Sequence, residues 1–173
     1  STLAWSYAQG VHVKRMLAFA GRIYVATTVD LMSDTGADMP DMELAFAVND
    51  LAVHGGKLYA AAGNSLWEAT ASQSWTNFHM FTGTVKAVAS YGLLLAVGVE
   101  NGSAMEVWFW DGATWTSSPA VTNAAYHIIR LQAFNTYLYL GLGTGDNSAA
   151  PLYTHNGMAW NLNHDFNGEL SQN

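Results

Sequence analysis

Six histidines, 13 Asp+Glu and no cysteine are what this 173-residue chain has for metal, acid–base or nucleophilic chemistry. Without thiolates, a zinc site would need histidines and carboxylates brought together by the fold. His12, His54, His79, His127, His155 and His164 show no His-x-x-x-His spacing. The densest charge is the run Asp30, Asp34, Asp38, Asp41 and Glu43. Oxygen-rich loops of this kind can hold Ca²⁺, which makes Asp34, Asp38 and Asp41 the metal candidates. The spacing is not that of an EF-hand, however, so a solvated loop and no cofactor are expected. Gly143 and Gly145 open no helix, which removes a phosphate cradle there. No Gly-x-Ser-x-Gly elbow is present. Paired carboxylates could hydrolyse glycosides, but Asp34 and Asp111 fall at equivalent turns, which reads as a structural role. The expectation is a chain that is not an enzyme.

Aromatic residues are the remaining chemical asset, at 13% of the chain with seven Trp and eight Tyr. Val107-Trp108-Phe109-Trp110 places rings on both faces of one strand, so one face is expected to look outward or toward a partner. Trp110 and Phe109, with Asp111, His155 and Asn156 nearby in type or repeat position, form the candidate ligand-binding set. Rings stack on sugars, and neighbouring polar groups hydrogen-bond them. Aromatic surface serves equally well between proteins.

The elements that position these residues recur. Four segments, starting at Met16, Asp50, Lys86 and Leu131, read as apolar strand, Gly or Asn turn, and second apolar strand. Tyr24, Tyr59, Leu95 and Tyr139 anchor them. A second motif follows each, an apolar-aromatic strand leading into a turn and then Trp75, Trp115 or Trp160, with Met39 in the first copy. Asp111-Gly112 and Asn156-Gly157 are strong hairpin signals, because both central positions of a type I′ turn want positive φ. The unit is therefore a four-stranded antiparallel meander. Its copies span about 9–46, 47–81, 82–121 and 122–166 of a single domain, 1–173. Such sheets cannot bury their faces alone; repeated side by side they pack face to face around an axis. The predicted fold is all-β, a β-propeller or partial propeller of four four-stranded antiparallel blades with little or no helix. Trp5, Trp75, Trp115, Trp160, Tyr24, Tyr59 and Tyr139 hold repeat positions and are expected to pack. Residues 1–8 read as a surplus outer strand. It is either the remnant of a blade lost or supplied by another chain, or a local addition at one edge of a small ring.

The Gly turn, Leu-Tyr, small residues and aromatic-x-x-Asp-Gly-x-x-Trp resemble the repeats of kelch-type, tachylectin-type and Asp-box propellers. Asp34-Thr35-Gly36 keeps the Asp-x-Gly of an Asp box, and Met39 replaces its Trp. Trp110-Asp111-Gly112-Ala113-Thr114-Trp115 keeps Asp and Trp and is one residue short. The double glycine of kelch repeats occurs at Gly55-Gly56. The resemblance implies an architecture and leaves function open. Sialidase-type propellers gather arginines around a carboxylate, and this chain has only Arg15, Arg22 and Arg130.

Charge narrows the partners. Lys+Arg number six and the net charge is −7, which argues against nucleic acid, since phosphate binding needs clustered Lys and Arg. No apolar run reaches the roughly 20 residues of a membrane span, so no membrane insertion is expected. Only 11% of residues are charged, against about 25% in ordinary domains. A surface so poor in charge is most simply explained if much of it is covered. The expected function is a non-enzymatic binding or assembly module, a structural or adhesion component that contacts other protein chains as a homo-oligomer or larger assembly. Its expected location is extracellular or in a virion. A glycan-binding, lectin-like propeller is the alternative, and a glycosidase or sialidase-like enzyme a distant third.

Overall fold

The computed structural model describes residues 9–35, 41–70, 74–102, 104–122, 126–144 and 151–165. Among these residues sixteen strands form four four-stranded antiparallel sheets, each contiguous in sequence and in meander order. Blade 1 contains β1 (Val13–Phe19), β2 (Arg22–Thr27), β3 (Leu31–Asp34) and β4 (Asp41–Leu44). Blade 2 contains β5 (Asp50–His54), β6 (Lys57–Ala62), β7 (Ser65–Ala69) and β8 (Trp75–Met80). Blade 3 contains β9 (Thr84–Tyr91), β10 (Leu94–Asn101), β11 (Ala104–Trp110) and β12 (Trp115–Thr122). Blade 4 contains β13 (Tyr126–Phe134), β14 (Tyr137–Thr144), β15 (Pro151–His155) and β16 (Trp160–Asp165). No helix occurs among the described residues. The arrangement is the four-bladed β-propeller that the repeats predict.

The inner hairpins share one turn chemistry. Two residues separate the strands, and the first has positive φ in every blade: Ala20 at 49°, Gly55 at 54°, Gly92 at 59° and Asn135 at 54°. That geometry matches the right-handed twist of the flanking strands. Blade 3 corrects the repeat alignment by one residue. Its turn is Gly92-Leu93, so Ala96, paired with Ala89, takes the place of Tyr24, which pairs with Leu17. Leu95 therefore does not hold the anchor register.

The core lies between blades. Tyr24, Leu31 and Leu44 of blade 1 meet Leu51, Leu58 and Ala60 of blade 2. Tyr59 and Leu66 of blade 2 meet Val85, Leu95 and Val97 of blade 3. Met105, Val107 and Phe109 of blade 3 meet Leu131, Leu138 and Leu140 of blade 4. Each fully buried leucine contributes about 1.5–3 kcal/mol. The small residues two positions after the anchors let the sheets approach: Ala26 and Ala61 are fully buried, and Gly98 and Gly141 take the same place in blades 3 and 4. At Gly98 a Cβ would lie 3.2 Å from Ile128 Cδ1 of the next blade.

Polar groups also link neighbours. Trp75 Nε1 of blade 2 donates to Glu43 Oε2 of blade 1 at 2.9 Å. Tyr91 of blade 3 donates its hydroxyl to the Thr136 carbonyl of blade 4 at 2.9 Å. Contacts between inner strands join β1 to β5, β5 to β9 and β9 to β13, and no comparable contact joins β13 to β1 among the described residues.

Candidate functional site

Three inner strands carry one extra residue near their start. On β1, Val13 pairs with Thr27 and Arg15 with Ala26, which leaves Lys14 unpaired in the ladder. On β9, Val85 pairs with Val99 and Ala87 with Gly98, which leaves Lys86. On β13, Ile128 pairs with Leu142 and Arg130 with Gly141, which leaves Ile129. A bulge of this kind breaks the period-2 alternation and re-aims a side chain. Here consecutive residues can then both reach the propeller axis.

Two tiers result. By strand register, Lys14, Lys86 and Ile129 are equivalent, and Asn49 precedes β5 at the same level. One step further along stand Arg15, Asp50, Ala87 and Arg130. The first tier, with Asp50 and Arg130, lines a cavity of about 280 Å³ at one mouth of the axis. Arg15 lines a second cavity of about 320 Å³ with Leu17, Leu51, Val88 and Leu131. All four blades contribute to each cavity.

Four of the chain's six Lys and Arg residues therefore stand at the axis: Lys14, Arg15, Lys86 and Arg130. Two carboxylates accompany them. Asp50 Oδ1 lies 3.7 Å from both Arg15 Nε and Arg130 Nη1. Glu100 Oε2 lies 3.3 Å from Lys86 Nζ and 3.5 Å from His127 Nδ1. Four cations against two carboxylates leave a surplus of two positive charges where the whole chain is at −7.

Asp50 is the hub. It is 4% exposed, and it accepts backbone hydrogen bonds from Leu51 at 2.9 Å and Val88 at 3.1 Å. With Arg15 and Arg130 it links all four blades. Burial pushes its carboxyl up to about 6, outweighing the two hydrogen bonds and the Arg15 charge that pull the other way. Lys14 donates to Asn49 Oδ1 at 2.7 Å. Burial, and next the charge of Lys86 across the axis, hold Lys14 below the usual lysine range.

The aromatic candidates lie elsewhere and are committed to packing. Phe109 is 7% exposed in the core between blades 3 and 4. Trp110 is half-buried on the opposite face, 5.6 Å from Phe78 and 5.3 Å from Trp115 by ring centroid. The expected outward aromatic face is thus absent from this strand, because blade 2 covers one side of β11 and blade 4 the other. His155 is buried between Phe109 and Trp160. Its Nδ1 accepts the Gly157 N–H at 3.2 Å, and burial lowers its pKa.

The two hairpin residues do one job at matching turns. Asp111 Oδ1 accepts from the N–H groups of Ala113 and Thr114, both at 2.8 Å. These bonds, that of Thr114 first, hold its carboxyl below the usual range. Asn156 Oδ1 accepts from Met158 at 3.0 Å and Ala159 at 3.1 Å. Among the metal candidates, Asp34 is buried on β3, Asp41 pairs with Arg22 at 2.9 Å, and Asp38 lies outside the described residues. No metal-binding group of His and carboxylates occurs among the described residues. Trp75, Trp115 and Trp160 each begin an outer strand. Trp115 stacks on His79 at 4.8 Å. Trp5 and the surplus segment 1–8 lie outside the described residues.

The axial site was missed by local spacing, although a signal existed. Arg15, Asp50 and Arg130 each stand nine residues before the anchors Tyr24, Tyr59 and Tyr139. Charge at one repeat position in three repeats marks an axis-facing position.

Fold and site together define a four-bladed β-propeller with a charged axial mouth. No protein-family profile matches the sequence, and no curated protein matches it. Solved structures match in fold. One is an auxiliary nutrient binding protein from Bacteroides thetaiotaomicron, with TM-score 0.65, 10% identity, and coverage of 88% of this chain and 40% of that one. Another is the extracellular domain of the putative one component system BT4673 from B. thetaiotaomicron, with TM-score 0.61 and 12% identity over 85% of this chain and 26% of that one. The computationally designed Ika4 protein gives TM-score 0.57 and 10% identity, covering 88% of this chain and 96% of that one. The chain spans about a quarter of the BT4673 domain and two fifths of the nutrient binding protein. At these identities the likeness concerns the fold.

Proposed function

We propose that this chain is a non-enzymatic binding module whose ligand site is the cationic mouth of its axis. The observation that carries this reading is the convergence of Lys14, Lys86 and Arg130, with Asp50, from all four blades on a cavity of about 280 Å³. Pockets with a few convergent polar groups are the usual places for ligands. The non-enzymatic part draws support from Asp111, which spends its oxygens on a turn, and from Asp50, which is held between two arginines. The location proposed with it is outside the cell or on a virus particle, and the names of the fold neighbours, an extracellular domain and a nutrient binding protein, support the first of these.

Protein partners are the second element of the reading. Met16, Met42, Phe134 and Leu162 are 55–64% exposed on blades 1 and 4, and apolar side chains left in water favour assembly. Glycan binding is the alternative, resting on Tyr137, 44% exposed and 6.5 Å from Tyr139 by ring centroid.

The test is a thermal-shift screen of anionic, neutral and cationic small molecules and a glycan panel. It is run on the wild type and on Asn49→Trp, which fills the mouth. A saturable ligand lost in Asn49→Trp is expected. A hit that survives in Asn49→Trp, or no hit in any class, overturns the axial assignment. Light scattering in solution reads the assembly element, where a monomer at all concentrations removes it.

A further inference from the structure

We propose that the axial mouth selects a small group bearing two negative charges, seated between Lys14 and Lys86 and held by Arg130. This rests on the reading of the mouth as the binding site and specifies its ligand.

Three observations converge on it. Lys14 and Lys86 occupy equivalent bulge positions on β1 and β9, blades that are two apart in the ring and so face each other across the axis. Both line the same cavity. Each ammonium presents three rotatable donors, suited to an oxyanion lying between them. Their mutual repulsion is part of what disfavours the charged form of Lys14, and a dianion placed between them would relieve it. Arg130 lines the same cavity, and its planar fork grips carboxylate or phosphate in bidentate fashion.

The charge balance sets the number. The surplus at the axis is two positive charges, so a dianion neutralises it and a monoanion leaves one uncompensated. Ile128 and Ile129 supply an apolar wall to the same cavity, and low-dielectric walls strengthen attraction within a cleft. The fixed carboxylates do not compete for the place. Glu100 is held by Lys86 and by the Ile128 N–H at 2.6 Å, and Asp50 is buried against its arginines and backbone donors. The shared chemistry fits a phosphate monoester and a dicarboxylate alike.

Calorimetric titration of the whole chain at pH 7.5 and low salt separates these sources. The probes are methyl phosphate, succinate, sulfate as a pH-invariant dianion, and acetate and chloride as monoanions. At least one of methyl phosphate and succinate is expected to saturate, and acetate to bind about tenfold or more weakly. Lys14→Met and Lys86→Met should each weaken the dianion about tenfold. Lys57→Met, which alters a lysine paired with Glu68 on blade 2, should leave it unchanged. If Lys14→Met does not fold, Lys14→Gln takes its place. Saturation by none of the three dianions, saturation by sulfate alone, equal binding of acetate, or indifference to Lys14 and Lys86 overturns the inference. A neutral or cationic ligand lost in Asn49→Trp would overturn the dianion and leave the binding-module reading standing. No ligand of any class removes both.

Discussion

Asp50 of blade 2 accepts the backbone N–H of Val88 of blade 3 at 3.1 Å, and through that bond a side chain of one inner strand fastens the next. A related tie occurs one blade on, where Glu100 of β10, the second strand of blade 3, accepts the Ile128 N–H of blade 4 at 2.6 Å. Removing the first tie tests its weight. Asp50→Ala leaves the Val88 amide without its acceptor and Arg15 and Arg130 without the carboxylate they face. Orphaning a buried hydrogen-bond partner costs about 1–3 kcal/mol, more for charged groups. Urea unfolding should show a loss of at least that size. An unchanged midpoint would mean that Asp50 ties nothing.

The same carboxyl sets a pH dependence. Its folded pKa is raised from 3.8 to about 6, so the folded chain holds the Asp50 proton more tightly than the unfolded chain. Its favourable contribution is fully present below about pH 4 and is lost as pH rises through about 6. About two units at 1.36 kcal/mol each bound the effect at about 3 kcal/mol. Arg15 and Arg130 face the group directly, Lys14 and Lys86 line the same mouth, and Glu100, paired with Lys86 and His127, is the other carboxylate of the cluster. Subtracting the stability profile of Asp50→Asn from that of the wild type should isolate a term falling between pH 4 and 6. A flat difference refutes it.

Gly83, in the link between β8 and β9, has no room for a side chain. A Cβ there would overlap the backbone carbonyl of Glu100, the residue whose side chain reaches Ile128. Gly83→Ala should cost about 1–3 kcal/mol or more, as overpacking does. It should also disturb Glu100, and a thermal melt reads both this variant and Glu100→Gln. A melting temperature equal to wild type would show that the chain shifts aside freely.

Ala20 is the one first-turn residue of the inner hairpins that is neither Gly nor Asn, and its φ is 49°. The left-handed conformation costs an ordinary residue about 1–2 kcal/mol. Asn135, at the matching turn of blade 4, has φ 54°. Ala20→Asn creates Asn-Gly ahead of β2 and should stabilise by about 0.5–1 kcal/mol. A lower melting temperature would argue against the turn assignment.

Asp111 and Asn156 serve as interchangeable turn caps. Asp111→Asn should melt like wild type and keep ligand binding, whereas Asp111→Ala should melt lower because the Ala113 and Thr114 amides lose their acceptor. Loss of a catalytic turnover in Asp111→Asn with an unchanged melt would overturn the non-enzymatic reading.

The fold was legible because each repeat writes its hairpins locally. Gly55-Gly56, Asn135, Asp111-Gly112 and Asn156-Gly157 mark turns by backbone chemistry alone, and Trp75, Trp115 and Trp160 mark outer strands. The site was legible only in its second tier, through the recurring charge of Arg15, Asp50 and Arg130, because the other members are distant in sequence. Lys14, Asn49, Lys86 and Ile129 meet only after four sheets pack, and the bulges at Lys14, Lys86 and Ile129 break the alternation that would have assigned their facing. Phe109 and Trp110 misled for a related reason. Rings on two faces of a strand demand an exposed side only if the sheet has one, and β11 lies between two other blades.

The hub at Asp50 also bears on how the molecule comes apart. Repeat proteins that touch only their sequence neighbours can fray from an end, one unit at a time. Here one buried carboxylate contacts groups from blades 1, 3 and 4 as well as its own. Detaching the first or the last repeat therefore breaks contacts of the second, which ties terminal opening to global unfolding. Hydrogen exchange should find the amides of β1 and β13 protected nearly as well as those of β5 and β9, giving one cooperative unit in place of a frayed series.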